Sequence, residues 1–247
     1  MTVARPKRSL RRTAALVVVV GVGVVGAALM IQRGPDPADP PVMADYPVVM
    51  PLGTRIFVQK YEVTVAEWNA CARAGACGIT LRAPAGKNSE TTPATGLSFV
   101  DAGHYLDWIN RTTGYKFRLP SLAEWEHMAA EVLPQAPDPI FTAPELSWAS
   151  AYLTAPQTKR TLRAQGAFAT TSQGIADLDG SVWEWTSDCY AGAYEGTLRP
   201  DRCPAFFVGG EHVAAISFLE RDPARGGCAV GAPPAHLGMR LVSDQKP

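Results

Sequence analysis

The chain has 247 residues, 47% of them hydrophobic and 19% charged, which is enough apolar material for one good core and, by length alone, allows one or two domains. Its 23 basic and 23 acidic residues cancel and the pI lies near 6.9, so it carries no electrostatic footprint for nucleic acid and that class is set aside. A Gly-x-x-x-x-Gly-Lys-Ser/Thr phosphate loop, a Gly-x-Ser-x-Gly elbow and a His-Glu-x-x-His zinc motif are all missing from the sequence.

The first elements concern a membrane. "ARPKRSLRR" is a basic run, and Thr13 to Ile31 carries no charge over roughly the length that crosses a bilayer as a helix. Residues 1–12 are expected to stay in the cytoplasm and 13–31 to form an uncleaved signal anchor in the inner membrane of a bacterial host, which places the rest outside it. Residues 32–45 form a Pro-rich linker, extended and semi-rigid, and the folded domain is expected over 46–247.

Three segments begin with a Ser or Thr followed three residues later by an acid, the spacing of a capping box. They are "TVAE" at Thr64, "SFVD" at Ser98 and "SLAE" at Ser121. Each is expected to open a short amphipathic helix. The first stops at Gly75, the second ends before Gly114 with Phe99, Ala102, Leu106 and Ile109 on one face, and the third runs to Leu133, before Pro134. Strands are expected in "RIFVQKYEV", "SVWEWTSDCY", "AFFVGG" and "LGMRLVS". Between Pro134 and Gly174 the sequence reads as loop, with "LSWASAYL" its one apolar patch. Short helices, scattered strands and long loops describe an irregular α+β domain without internal repeats.

Five cysteines in an exported domain, with no Cys-x-x-Cys pair, point to disulfides rather than a thiolate metal site. Cys71 and Cys77 are placed to close a local loop. Cys189, Cys203 and Cys228 leave one further bridge and one free thiol; their connectivity is open, with Cys189 to Cys203 favoured.

The stretch "GSVWEWTSDCY", from Gly180 to Tyr190, sets a glutamate between two tryptophans. In an extended strand Trp183 and Trp185 share one face, and Val182, Glu184 and Thr186 the other. A carboxylate among such neighbours has to be paired, hydrogen-bonded or bound to a cation, unless the strand simply exposes it.

In order along the chain, "YEVTVAEW", "GLSFVDAGHYLDWI", "TGYKFRLPSLAEWEHMA", "GIADLDGSVWEWTSDCY", "VGGEHVA" and "LGMRLV" resemble the successive motifs of the formylglycine-generating enzyme or sulfatase-modifying-factor domain family. The resemblance spans Tyr61 to Val242 and implies a single α+β domain of irregular, C-type-lectin-like fold. It also implies a structural calcium held by Asp177, the carbonyls of Gly180 and Val182, and Glu184, since calcium takes hard oxygen ligands.

The departures bear on activity. Family enzymes place two copper-binding cysteines after the Gly-Gly, where this chain has Ala214 and Leu219, and neither side chain replaces a thiolate, so copper is not expected. Cys228 matches neither position. Other relatives hold iron through histidines of a separate helical domain that this chain lacks. Of the four histidines, His104 and His127 fall within expected helices, while Glu211 and His212 lie where the family's groove would be. The expected function is a membrane-anchored, non-catalytic accessory protein that engages a periplasmic protein or peptide. A narrower resemblance, to NirV-type accessory proteins, implies support of periplasmic nitrite reductase. The alternative is a metal- and oxygen-dependent oxidase acting on a peptide or small molecule; extracellular ligand or carbohydrate binding rests on fold analogy alone.

Overall fold

The computed structural model describes Met1 and residues 39–133, 161–190, 203–223 and 235–247, with the backbone of 228–230. The chain divides into two units, Met1–Gly34 and Pro35–Pro247. The anchor expected over 13–31 lies outside the described residues, as does the patch "LSWASAYL"; among those described, no helix is long and apolar enough to cross a membrane.

All three capping boxes form. Thr64 opens α1 (Val65–Arg73), Ser98 opens α2 (Phe99–Thr113) and Ser121 opens α3 (Leu122–Ala129). In each, the hydroxyl accepts the N–H of the acid three residues on, and that acid accepts the cap residue's own N–H, so two donors orphaned by the helix start are satisfied locally. Gly114 ends α2 at φ +74°, a left-handed cap that glycine takes without steric cost. The third helix ends at Ala129 rather than Leu133. There the N–H groups of Val132 and Leu133 both turn back to the Ala129 carbonyl, so the chain tightens into a turn. On α2 the fully buried stripe is Ala102, Tyr105, Trp108 and Ile109, with Phe99 and Leu106 only half-buried at its margin.

Two small sheets lie alongside these helices. The first runs β1 (Val48–Val49), β2 (Arg55–Val58), β9 (Val242–Ser243), β3 (Phe117–Arg118). The second runs β7 (Cys228–Val230), β6 (Ala214–Ser217), β5 (Ala205–Gly209), β4 (Trp183–Tyr190), β8 (Leu237–Gly238). Neighbours are antiparallel except β4 and β8. The segment "LGMRLVS" is therefore two strands, not one. Leu237 and Gly238 pair in the second sheet, Val242 and Ser243 in the first, and Met239 to Leu241 cross between them. The carbonyls of Met239 and Leu241 accept from Val63 and Gln59, so the crossing is itself anchored.

Residues 182–186 of the Trp-Glu-Trp segment are all buried, which removes the exposed-glutamate alternative. Three core tryptophans spend their indole N–H on a fixed acceptor: Trp68 on the Ile79 carbonyl, Trp185 on the Leu97 carbonyl and Trp125 on Glu184. Two disulfides close, Cys71 to Cys77 and Cys189 to Cys203. The side chain of Cys228 lies outside the described residues.

The pair Gly209 and Gly210 is set by packing. A Cβ on Gly209 would stand 2.1 Å from the Trp125 ring, and one on Gly210 would stand 2.4 Å from the Trp183 ring. Each indole lies against bare backbone, and neither can retreat from a dense core. Gly209→Ala is expected to lower stability by about 1–3 kcal/mol through overpacking. Gly78→Ala, where an added methyl meets nothing within 4 Å, should stay within about 0.5 kcal/mol. Urea unfolding of both variants checks the difference.

Candidate functional site

Glu184 is 1% exposed and its partner is Arg240, which has no exposed surface. Both carboxylate oxygens take the guanidinium: Arg240 Nε donates to Oε1 and Oε2 at 3.0 and 3.1 Å, and Nη2 to Oε1 at 2.8 Å. Trp125 Nε1 donates to Oε2 at 2.9 Å. The remaining Arg240 N–H groups go to backbone carbonyls, Nη1 to Gln59 and Lys60 at 3.0 and 2.6 Å and Nη2 to Ala176 at 2.9 Å. All five donors of the guanidinium are thereby used.

Two further carboxylates share this interior. Asp177, at φ +67°, accepts the backbone N–H groups of Gly166 and Phe168 at 2.5 and 2.9 Å. Its own carbonyl accepts the Gly180 N–H at 2.9 Å, in a turn where a Cβ on Gly180 would stand 2.7 Å from that same oxygen. Glu62, from the "YEVT" motif, is 1% exposed; its Oε2 lies 3.9 Å from Arg240 Nη2 and has no hydrogen-bond partner among the described residues. Burial above all pushes the Glu62 carboxyl up to about 8, with the charges of Glu184 and Asp177 adding to it and Arg240 opposing it.

The residues as arranged do not fit the calcium expected from the resemblance. A guanidinium covers both Glu184 oxygens, and backbone donors cover both of Asp177. A second cation at Glu184 would have to displace the first. Among the described residues, no group of three or more His, Cys, Asp or Glu side chains is gathered for a metal ion. The neutralising charge that the sequence reading gave to calcium at Glu184 is supplied by Arg240. A lone arginine between buried Met239 and Leu241 was the available signal for it.

The region after the Gly-Gly is a hairpin turn. Gly210 to Val213 connect β5 to β6, and His212 lies edge-on to Trp183 with ring centroids 4.4 Å apart, while Glu211 is exposed. Ala214 begins β6 opposite Val208 and is wholly buried; Leu219 lies beyond the strand and is 64% exposed. The backbone of Cys228 pairs with Ile216 on the neighbouring strand. Further along, Arg221 reaches back to the start of α2, its Nε and Nη2 donating to Asp101 at 2.6 and 2.7 Å. Burial alone would raise the Asp101 carboxyl, but hydrogen bonds from Arg221 and Ser98 hold it below its ordinary range. His104 and His127 sit exposed on α2 and α3, and His127 Nε2 lies 3.1 Å from the Val49 carbonyl.

Three residues that organise this region escaped the sequence reading: Glu62, Arg221 and Asp188, whose carboxylate accepts the Leu122 N–H at the start of α3. Each is an acid or base whose partner is distant in sequence.

Glu62 makes stability depend on pH. Its folded value near 8 lies above the ordinary glutamate value of about 4.3, so the folded state holds a proton that the unfolded state has lost. Stability attributable to this group is full below about pH 4.3 and falls as pH rises toward 8, by at most about 1.4 kcal/mol per unit. Glu62→Gln keeps the neutral shape without the proton. Urea unfolding at pH 5 and pH 8 should show a flatter dependence in the variant than in the wild type, and equal slopes would exclude this role.

The sequence matches the family model described as the sulfatase-modifying factor enzyme 1-like domain over residues 24–245. None of the curated proteins matches it. Similar solved structures include PvdO from Pseudomonas aeruginosa, at 19% identity over 85% of this chain and 86% of that one, with a TM-score of 0.47. Treponema denticola variable protein 1 is 16% identical over 84% and 93% of the two chains, with a TM-score of 0.46. CarF is 18% identical over 78% and 87%, with a TM-score of 0.44. With its family model matched over nearly the whole length and the ordered motifs in place, the chain belongs to the sulfatase-modifying factor enzyme 1-like domain family.

Proposed function

We propose that this protein is an exported, non-catalytic member of its family, anchored in the inner membrane by residues 13–31, whose lectin-like domain engages a periplasmic protein or peptide. The observation that carries the reading is the fate of the two positions where family enzymes hold copper. Ala214 is sealed in the core and Leu219 is 64% exposed beyond the strand end, so the two face different environments and neither offers a thiolate. The two disulfides support an oxidising compartment, where such bonds persist. Glu211 and His212, on the turn after the Gly-Gly, are the residues with which the domain would meet its partner. The narrower role is support of periplasmic nitrite reductase, with the protein acting as a docking factor rather than as the oxidant.

The test offers the purified full chain, with Cu(I) and oxygen, a Cys-x-Pro-x-Arg peptide. The expected result is no formylglycine by mass spectrometry and no tight Cu(I) binding in competition with a chelating dye. Turnover above a copper-only control would overturn the non-catalytic reading. For the docking role, nitrite reductase passed over the immobilised full chain is expected to be retained, and Glu211→Ala with His212→Ala is expected to release it. Absence of retention removes the narrower role.

A further inference from the structure

Away from Arg240 and the β5–β6 turn, the end of β2 and the start of α1 border a cavity of about 170 Å³ whose polar lining is Gln59, Tyr61, Thr64, Glu67, Glu90 and Gln165. No lysine or arginine lines it. Lys60, the nearest cation in sequence, is turned to Asp45 at 3.8 Å and over the Tyr61 ring at 5.9 Å.

The polar atoms are fixed by bonds made elsewhere. Gln59 is 2% exposed, and its Oε1 accepts the Leu241 N–H at 3.1 Å. That bond sets the sense of the amide, so its NH₂ is the end left to donate beside the cavity that Gln59 lines. Gln165 is oriented in the opposite sense: its Nε2 donates to the Glu62 carbonyl at 3.1 Å, leaving its Oε1 as an acceptor. Glu67 uses Oε2 for the Thr64 N–H and hydroxyl at 2.7 and 2.9 Å, while Oε1 takes no donor among the described residues. Burial first, and the Glu90 charge in addition, push the Glu67 carboxyl up, although Thr64 works against it. Two acidic side chains thus line one half-open cavity with no lysine or arginine in its lining.

We propose that this cavity binds a small organic ammonium compound that also carries a hydrogen-bond acceptor, an amino alcohol being the simplest case. The ammonium lies between Glu67 and Glu90, and the acceptor oxygen takes the Gln59 N–H. Tyr61 contributes an aromatic face of the kind that attracts such cations. A bare metal ion suits the lining less well, because Gln59 presents N–H groups rather than oxygen. The space also equals roughly five or six waters at about 30 Å³ each, more than one ion fills.

The capping box accepts Gln as well as Glu at its third position, so Glu67→Gln removes the charge while keeping the helix start. Glu90 is exposed, and Glu90→Gln puts no core at risk. Ligand-observed NMR on the purified full chain in detergent, titrated with ethanolamine hydrochloride at constant ionic strength, reads the binding. Saturable binding is expected, weakened at least tenfold in the double variant, with no saturable binding of ethylene glycol. Should melting show the double variant unfolded, Glu90→Gln alone carries the comparison, with a threefold or greater loss expected. The proposal is overturned if ethanolamine does not saturate, if ethylene glycol binds as well, if the folded variant binds as tightly as wild type, or if calcium chloride binds there and ethanolamine does not.

Discussion

A guanidinium with no exposed surface needs an acceptor for every N–H, because each unmet donor inside a protein costs about 1–3 kcal/mol. Arg240 meets that demand from separate stretches of chain. Two acceptors are the carbonyls of Gln59 and Lys60 just past β2, one is the Ala176 carbonyl ahead of the Trp-Glu-Trp strand, and the last is Glu184 within it. Arg240 itself occupies the crossing between β8 of one sheet and β9 of the other. One side chain therefore fixes the approach of the two sheets. The second consequence is electrostatic. Glu184, Glu62 and Asp177 share a single positive charge, and burial first, with the charges of Glu184 and Asp177 in addition, raises the Glu62 carboxyl. A buried pair of this kind is weak evidence for net stability, since desolvation offsets much of the attraction; its contribution here is to specify one arrangement of the chain.

The β5–β6 side depends on a different constraint, the close approach of indole rings to backbone. Trp125 and Trp183 pack onto Gly209 and Gly210, and Trp125 also donates to Glu184, which ties α3, β4 and β5 to the Arg240 centre. With β5 held there, register carries β6 back along it, so that Ala214 falls opposite Val208 inside the core. The Arg221 to Asp101 pair then holds the segment after β6 against the start of α2. Position 214 is thereby part of the packing, and a small apolar residue suits it.

How much of this the sequence reveals depends on how local each interaction is. The capping boxes were legible because the partners stand three residues apart, and all three helix starts fell where Thr64, Ser98 and Ser121 put them. The end of α3 was misplaced because Ala130 to Leu133 have no breaker of their own and the helix yields to a turn before Pro134. Glu184 was legible as a buried charge in need of a partner, but the partner lies 56 residues on, where no local pattern points to it. "LGMRLVS" looked like one strand since nothing in its apolar alternation marks a change of sheet; the hydrogen bonds of Met239 and Leu241 to distant N–H groups make that change. The disulfide Cys71 to Cys77 was a local inference, whereas Cys189 to Cys203 had to be chosen among open pairings. Glu62 and Arg221 gave no local signal, since an acid beside a Val-Thr pair or an arginine in a polar loop is ordinary on any surface.

The central claim is that Arg240 and Glu184 stabilise the fold through each other. A double-mutant cycle measures that coupling directly, using Arg240→Met, Glu184→Gln and both together, with unfolding free energies from urea titration. The account predicts that each single change costs about 3–5 kcal/mol because it strands the other group in the core, and that the double change costs clearly less than the sum. Additive costs, with no coupling beyond about 0.5 kcal/mol, would contradict it.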